Sequence, residues 1–168
     1  MDRKREKSLY MTELMTPDMA NFSGNVHGGC LLKLLDRVAY ACAARYCGHY
    51  VVTASLDNVY FASPMQVGEL ANFMANVNYT GRTSMEVGVK VMAEDLHTRE
   101  LRHTASCYFT MVAMGDNGRA TPVPPLDPET DIEKRLFRAG EMRRELREEM
   151  RRRNEALHVG LPIDYLNN

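Results

Sequence analysis

The hydrophobic period of this chain changes once, from helical to strand-like, and that change limits the folds open to it. Across residues 29–46 apolar side chains recur every three or four positions, which predicts one long helix with a wide apolar face. From residue 50 to about residue 113 apolar and polar side chains alternate instead, which predicts β-strands. Neither the helix nor the strands can bury their apolar surface alone. We therefore expect an α+β fold in which a curved antiparallel sheet wraps around one long central helix.

Turn residues divide the alternating region into separate strands. The predicted strands cover residues 50–61, 68–79, 85–93 and 105–113, and a short first strand covers residues 10–14, before the helix. Short connections join the last three strands, which favours an antiparallel meander. The edge strands of such a sheet are natural places for a second copy to pair, so we expect a homo-oligomer.

The charge balance of the chain argues against two classes of partner. The formal net charge of the 168 residues is −1, from 21 basic and 22 acidic side chains, so no overall field attracts nucleic acid or an anionic membrane. The charged start leads into no apolar leader, and no later segment approaches the roughly 18 uninterrupted apolar residues of a membrane span. We therefore expect a soluble, cytoplasmic protein with no nucleic-acid or membrane partner.

The cysteines and histidines show none of the paired spacings of zinc sites or redox pairs. No CxxC pair is present, and Cys42 and Cys47 lie on the predicted helix and directly at its end, respectively. We therefore expect free, mostly buried thiols and no metal site. His27 and Cys30 stand three positions apart, but no third residue is evident to orient them as a nucleophilic pair.

A proline-rich connector separates the alternating region from a second helix, predicted over residues 131–155. Its apolar residues form only a thin line, Met142, Leu146 and Met150, among arginine and glutamate pairs at 144/148, 148/152 and 149/153. One interpretation is a solvated helix that lies on the sheet or on a neighbouring subunit; the other is a basic patch at 151–153 that aids an anionic ligand. The predicted boundaries are a domain at 8–126 and a helical extension at 127–168, with a loosely held tail at 157–168.

The start of the long helix combines two glycines with a carboxylate just over two turns further on. Free backbone N–H groups at a helix start carry partial positive charge, so those of Gly28 and Gly29 can hold an oxyanion. Helix geometry places Asp36 beside the packed face that contains Leu35, where carboxylates are often perturbed and used. An ordinary surface aspartate on a polar stripe with Lys33 is the alternative.

Two loops carry further candidates for chemistry. In the loop before the helix, Asn21 and Asn25 suit turns and caps as well as a site, and His27 suits a base or a bond to a loop carbonyl. The turn at 81–84 offers a guanidinium, two hydroxyls and flexible backbone N–H groups, a set that suits a phosphate. A turn needs glycine in any case, so a purely structural role stays open there.

Four motifs in this order carry a family resemblance. They are PDMANFSGNVHGG at 17–29, LLKLLD at 31–36, VTASLD at 52–57 and GRTSME at 81–86. Together they resemble the hotdog-fold acyl-coenzyme A thioesterases, specifically the cytosolic acyl-CoA hydrolase branch. The resemblance covers residues 11–126, and it extends weakly to the C-terminal helix.

The resemblance implies a fold, an assembly and a reaction. It implies a hotdog fold, dimers joined edge to edge and trimers of dimers, with acyl-CoA hydrolysed to a free acid and CoA and no separate cofactor. Asn21 and Asp36 match the catalytic pair, which faces across the dimer interface from two subunits. The implied thioester-polarising residues are His27, Gly28 and Gly29, and the implied CoA contacts are Gly81, Arg82, Thr83 and Ser84. Two alternatives remain, a non-catalytic CoA-ester binding protein and a hotdog hydratase or dehydratase.

Overall fold

The computed structural model describes residues 5–157, which form one five-stranded sheet and two α-helices. In chain order the elements are β1 (Ser8–Leu14), a single 3₁₀ turn (Pro17–Met19), α1 (Gly28–Cys47), β2 (Tyr50–Phe61), β3 (Leu70–Thr80), β4 (Ser84–Glu94), β5 (Leu101–Met114) and α2 (Asp131–Ala156). The contacts divide the described residues into two units, with the boundary between Asp127 and Pro128, and α2 belongs to the second. From position 158 onward the predicted tail lies outside the described residues.

The strand order across the sheet is β1-β3-β4-β5-β2, and every neighbouring pair is antiparallel. The predicted meander is confirmed for β3, β4 and β5, which are neighbours both along the chain and across the sheet. β2 and β3 are not neighbours, because the chain passes from β2 at one edge to β3 near the other before the meander begins. Within the described chain β1 and β2 are the two edges, and each has one free side.

One face of the sheet packs against α1, and the alternation along the strands explains why. The inward side chains on β4 are each at most 2% exposed: Met85, Val87, Val89, Val91 and Ala93. Those on β5 are each at most 1% exposed: Ala105, Cys107, Phe109, Met111 and Ala113. α1 buries its apolar face here, including Leu35, Val38 and Ala39, and it contacts all five strands. The expected architecture, a curved antiparallel sheet around one central helix, is confirmed.

The two ends of α1 are set by residues that suit helix caps. His27 has extended backbone and accepts the N–H of Gly29 on its side chain, as an N-cap residue does. At the other end Gly48 adopts a left-handed conformation, with φ 74°, and its N–H donates to the carbonyl oxygen of Ala44. α1 is therefore one residue longer at each end than the predicted 29–46.

The expectation about the cysteines is confirmed. All four thiols are free; Cys42, Cys47 and Cys107 are buried and Cys30 is half-buried. Burial raises the pKa of Cys42 and that of Cys107 to about 12, so both stay protonated and unreactive near neutral pH. Over residues 5–157, no helix has both the length and the apolar composition needed to cross a membrane.

α2 is a charged helix with a capping box at its start, where Thr130 accepts the N–H of Glu133. Its thin apolar line is exposed, with Leu146 58% accessible. The predicted pairs 144/148 and 149/153 are present, whereas Arg152 pairs with Glu149 instead of Glu148 because the i,i+3 spacing also brings side chains together. The three consecutive arginines each have a glutamate partner, which reduces the charge available to an anionic ligand.

Candidate active site

The start of α1 presents one unpartnered backbone donor. The N–H of Gly29 donates to His27 Nδ1 at 2.9 Å, and the N–H groups of Cys30 and Leu31 both donate to the His27 carbonyl oxygen. Within residues 5–157 the N–H of Gly28 has no hydrogen-bond acceptor. Of the two glycine amides expected to hold an oxyanion, that of Gly28 is therefore available in the single chain, while that of Gly29 serves the cap.

The loop before α1 is folded around the side chain of Asn21. Asn21 Oδ1 accepts the backbone N–H of Ser23 at 2.9 Å, the Ser23 hydroxyl at 2.8 Å and the backbone N–H of Asn25 at 3.2 Å. The main chain closes the same turn, since the N–H of Asn21 donates to the Asn25 carbonyl oxygen at 2.7 Å. These bonds fix the Asn21 carbonyl group, and its amide nitrogen has no acceptor among the described residues and can donate.

Asn21 and Gly28 line a pocket of about 340 Å³ between the loop, the start of α1 and the end of β2. More of its lining is apolar than polar, and the β2–β3 connection and Thr104 of β5 complete the walls. The lining residues are Asn21, Asn25, Val26, Gly28, Leu31, Phe61, Ala62, Ser63, Pro64, Met65 and Thr104. A mainly apolar pocket whose lining includes Gly28, with its free N–H, and the Asn21 amide suits a chain that ends in a carbonyl.

Asp36 lies further along α1, at the border of the packed face. It is exposed, although its neighbours Leu35 and Ala39 are both 0% exposed. The Thr53 hydroxyl donates to Asp36 Oδ1 at 2.6 Å. Thr53 belongs to β2, so the carboxylate is held at the free edge of the sheet.

One chain does not bring Asp36 to the pocket. Asp36 follows Gly28 by eight positions, which corresponds to about 12 Å along the helix axis. It is absent from the pocket lining, whereas Phe61, at the far end of β2 from Thr53, lies there. The start of β2 is therefore beside Asp36, and its end is beside Gly28 and Asn21.

The candidate CoA residues form the predicted β3–β4 turn at the opposite end of α1 from Gly28. The N–H of Gly81 donates to the Ser84 carbonyl oxygen at 2.8 Å, and the Arg82 carbonyl oxygen accepts the N–H of Val123 at 3.0 Å. Next to Val123, the carbonyl oxygens of Pro124 and Pro125 lie 3.3 and 3.1 Å from the Tyr46 hydroxyl, near the end of α1. The Arg82 side chain is exposed and has no acidic partner within residues 5–157.

Thr53 is the site residue to which the sequence assigned no role. It stands in one of the quoted motifs, but no hydrophobic period predicts which helix residue a strand hydroxyl contacts. His27 has a clear task in the structure, as the cap of α1, and its Nδ1 is used there. Asn25 likewise serves the loop, since its amide nitrogen points to Ser23 Oγ at 3.4 Å.

Comparison with known proteins gives a consistent family. Residues 23–100 match the family model of the thioesterase superfamily. The protein VdlD of Helicobacter pylori is 49% identical over 147 residues, which cover 88% of this chain and 84% of VdlD. YkhA of Bacillus subtilis, whose name describes an acyl-CoA thioester hydrolase, is 34% identical over 160 residues, 95% of this chain and 93% of YkhA.

Two solved structures share the fold over most of the chain. A hexameric acyl-CoA thioesterase in its apo form has a TM-score of 0.82 and 38% identity, and covers 86% of this chain and 92% of its own. The acyl-CoA hydrolase of Staphylococcus aureus, in complex with butyryl coenzyme A, coenzyme A and coenzyme A disulfide, has a TM-score of 0.84 and 32% identity, with 97% and 96% covered.

Alanine variants of the Staphylococcus aureus hydrolase show a shared spacing. Three such structures replace an asparagine, an aspartate 15 positions after it and a threonine 17 positions after the aspartate. Asn21, Asp36 and Thr53 have the same spacing. With the extent of the sequence matches, this identifies the chain as a member of the thioesterase superfamily, among the hotdog-fold acyl-CoA thioesterases.

Proposed function

We propose that this protein hydrolyses acyl-CoA thioesters to a free carboxylic acid and CoA, with each active site built from two copies of the chain. The observation that carries the proposal is the division of the candidate groups along β2. The carboxylate of Asp36 is bound by Thr53 at the start of this edge strand, and the pocket with Gly28 and Asn21 is at its end.

The free side of β2 is the place where a second copy completes the site. This strand leaves large apolar side chains exposed in the single chain, with Tyr60 73%, Tyr50 63% and Phe61 50% accessible. Two β2 strands that pair antiparallel about a two-fold axis place the start of each opposite the end of the other. Asp36 of one copy then faces the pocket of its partner, and the pair of copies contains two complete sites.

Each group has a definite task in the reaction. Attack on a thioester carbonyl places negative charge on its oxygen, and the N–H of Gly28, at the positive end of α1, stabilises that charge. Asp36 acts either as a general base that takes a proton from the attacking water or as the nucleophile that forms a mixed anhydride, which water then hydrolyses. In both routes the C–S bond breaks, and CoA leaves as a thiolate that takes up a proton. The amide nitrogen of Asn21 orients the water or the carboxylate. Both routes use water alone, so we propose no metal or cofactor.

The β3–β4 turn fits the CoA part of the substrate. It lies at the same end of the sheet as the start of β2, because the N–H of Ala113, which is the β5 partner of Val51, donates to the Thr83 carbonyl oxygen at 3.0 Å. The exposed guanidinium of Arg82 and the hydroxyls of Thr83 and Ser84 suit phosphate oxygens. The acyl group then occupies the apolar pocket of the partner copy.

The assembly and the cellular location are extensions of the same proposal. The two-fold pair is the active unit, and we propose a trimer of such pairs because a structural relative at 38% identity is hexameric. The free thiols fit a reducing compartment, so we propose a cytoplasmic location for fatty acyl-CoA hydrolysis.

A thiol-release assay tests the reaction directly. Wild-type protein is mixed with acyl-CoA esters from acetyl- to palmitoyl-CoA and a thiol reagent, and a thioether analogue that cannot be hydrolysed serves as the control substrate. We expect release of CoA from at least one ester and none from the analogue. Tight binding of the esters without release would instead identify a non-catalytic CoA-ester binding protein, and hydration of an enoyl-CoA would identify a hydratase.

A further inference from the structure

Arg102 and Glu69 form an ion pair that joins β5 to the connection between β2 and β3. Arg102 Nη2 lies 3.0 Å from Glu69 Oε1 and 2.9 Å from Oε2. The Glu69 side chain is only 8% exposed, against 41% for Arg102. The carboxylate also accepts the backbone N–H of Gln66 at 2.7 Å. A nearly buried charge that needs this many partners is strongly restricted in position.

The same guanidinium holds the pocket wall, residues 62–65. Arg102 Nη2 donates to the Pro64 carbonyl oxygen at 2.8 Å, and Arg102 Nε donates to Ser63 Oγ at 3.2 Å. Ser63 Oγ in turn donates to the His103 carbonyl oxygen at 2.7 Å. The planar guanidinium therefore fastens this wall to β5 and to the buried carboxylate at the same time, which a lysine ammonium cannot do in one geometry.

The wall is connected to the reacting end of the pocket. The Met65 carbonyl oxygen accepts the N–H of Val26 at 2.8 Å, two positions before Gly28. Just before the wall, the Phe61 ring lies 3.7 Å from the point that a Cβ on Gly28 would occupy. A shift of the wall therefore changes the space that the acyl chain is proposed to occupy beyond its carbonyl group, which the Gly28 amide holds.

We propose that Arg102 and Glu69 are positioning residues that set the acyl-chain preference of the enzyme by fixing this wall. Neither side chain lines the pocket, so their effect passes through Ser63, Pro64 and Met65. Long acyl chains contact the wall and depend on its position; an acetyl group is too short to depend on it. This inference rests on the proposed function, and it adds a determinant of substrate choice outside the pocket.

The test compares kcat/KM across acyl lengths for wild type and Arg102→Lys, which keeps the positive charge near Glu69. We expect kcat/KM for the best long-chain ester to fall about tenfold through a higher KM, the size of effect of one changed pocket contact, while acetyl-CoA changes by less than about twofold. Glu69→Gln, which keeps the shape of the side chain, is expected to flatten the length profile in the same direction.

Arg99→Lys is the matched control. Arg99 precedes β5 and pairs with Glu94 at 3.3 Å, and among the described residues neither of the two has a hydrogen bond to the wall. The acyl-length profile of Arg99→Lys is therefore expected to stay as in wild type. If Arg102 had a merely structural role, Arg102→Lys would lower kcat/KM for all esters by one common factor, and such a result would overturn the inference. An unchanged length profile in Arg102→Lys would also overturn it. No release by wild type from any ester would overturn the proposed function, so the two failures are distinguishable.

Discussion

β4 and β2 are both strands with apolar side chains, yet β4 is buried and β2 is largely exposed. The inward side chains of β4 lie under α1 and are at most 2% exposed. On β2 the side chains of Leu56, Tyr60 and Phe61 are 39%, 73% and 50% exposed. Over residues 5–157, β4 has a hydrogen-bonded neighbour on each side, whereas β2 has one only. The apolar pattern of β2 thus fits burial in an assembly of chains better than burial in one chain.

The candidate chemistry follows the same division. Asp36 and Thr53 lie at one end of the β2 edge and Gly28 at the other, while the inner faces of β4 and β5 are filled with apolar side chains. Changes at the edge should therefore alter turnover or association, and changes in the interior should alter unfolding. Variants in the edge and in the interior test whether the two kinds of effect are separate.

The largest expected effect at the edge is that of Asp36→Asn. Because Asp36 is exposed, the variant should fold with an unchanged melting temperature, while kcat for thiol release falls by about 100-fold or more, as expected for loss of a general base or nucleophile. CoA should still bind. Asp116→Asn, in an exposed turn, is the control. Near-normal turnover in Asp36→Asn would end its assignment as the reacting carboxylate.

The matching interior change is Phe109→Ala. Phe109 is 1% exposed, so its truncation leaves a cavity and should lower the free energy of unfolding by about 3–5 kcal/mol, measured by urea denaturation at fixed protein concentration. Tyr60→Ala removes a side chain of similar size from the β2 edge. It should instead shift sedimentation velocity toward smaller species. Equal loss of unfolding free energy in both variants would contradict the division.

Thr53→Val is expected to have an intermediate effect at the edge. It keeps the side-chain shape but removes the hydroxyl that donates to Asp36 at 2.6 Å, so kcat should fall about tenfold, the size of a hydrogen bond to a charged group. Thr53→Ser retains the donor and should stay close to wild type. The thiol-release assay measures kcat for both variants. Equal kcat values for Thr53→Val and Thr53→Ser would show that the hydroxyl has no role in turnover.

Arg82→Ala is expected to have the smallest effect. An exposed guanidinium that binds a phosphate contributes little through solvent, so KM for acyl-CoA should rise about threefold to fivefold with kcat unchanged. Higher salt should reduce the difference in KM between Arg82→Ala and wild type, because salt screens the attraction between the guanidinium and the phosphate. Initial rates at two ionic strengths measure both quantities. An unchanged KM at low salt would count against a CoA contact at this turn.

The sequence predicts the parts of the fold in which the spacing of apolar side chains indicates which side chains are buried. Local patterns predicted the strands β4 and β5, the helix α1 and the turns between elements. Each of these depends on residues that are neighbours along the chain. The Thr53–Asp36 and Arg102–Glu69 contacts were not predictable, because they join a strand to a helix or two distant segments and leave no period. The use of the Gly29 amide by the His27 cap was not predictable either, since a glycine pair alone does not say which amide stays free.

Subunit mixing tests the shared active site most directly. Asp36→Asn and Asn21→Ala chains are each expected to be nearly inactive, but a pair that contains one of each has one site with both native residues. Co-expression with random pairing should therefore restore about a quarter of wild-type activity, as the symmetry of a two-fold pair dictates. Activity no higher than the sum of the two separate variants would mean that both residues act within one chain, and would contradict the shared site.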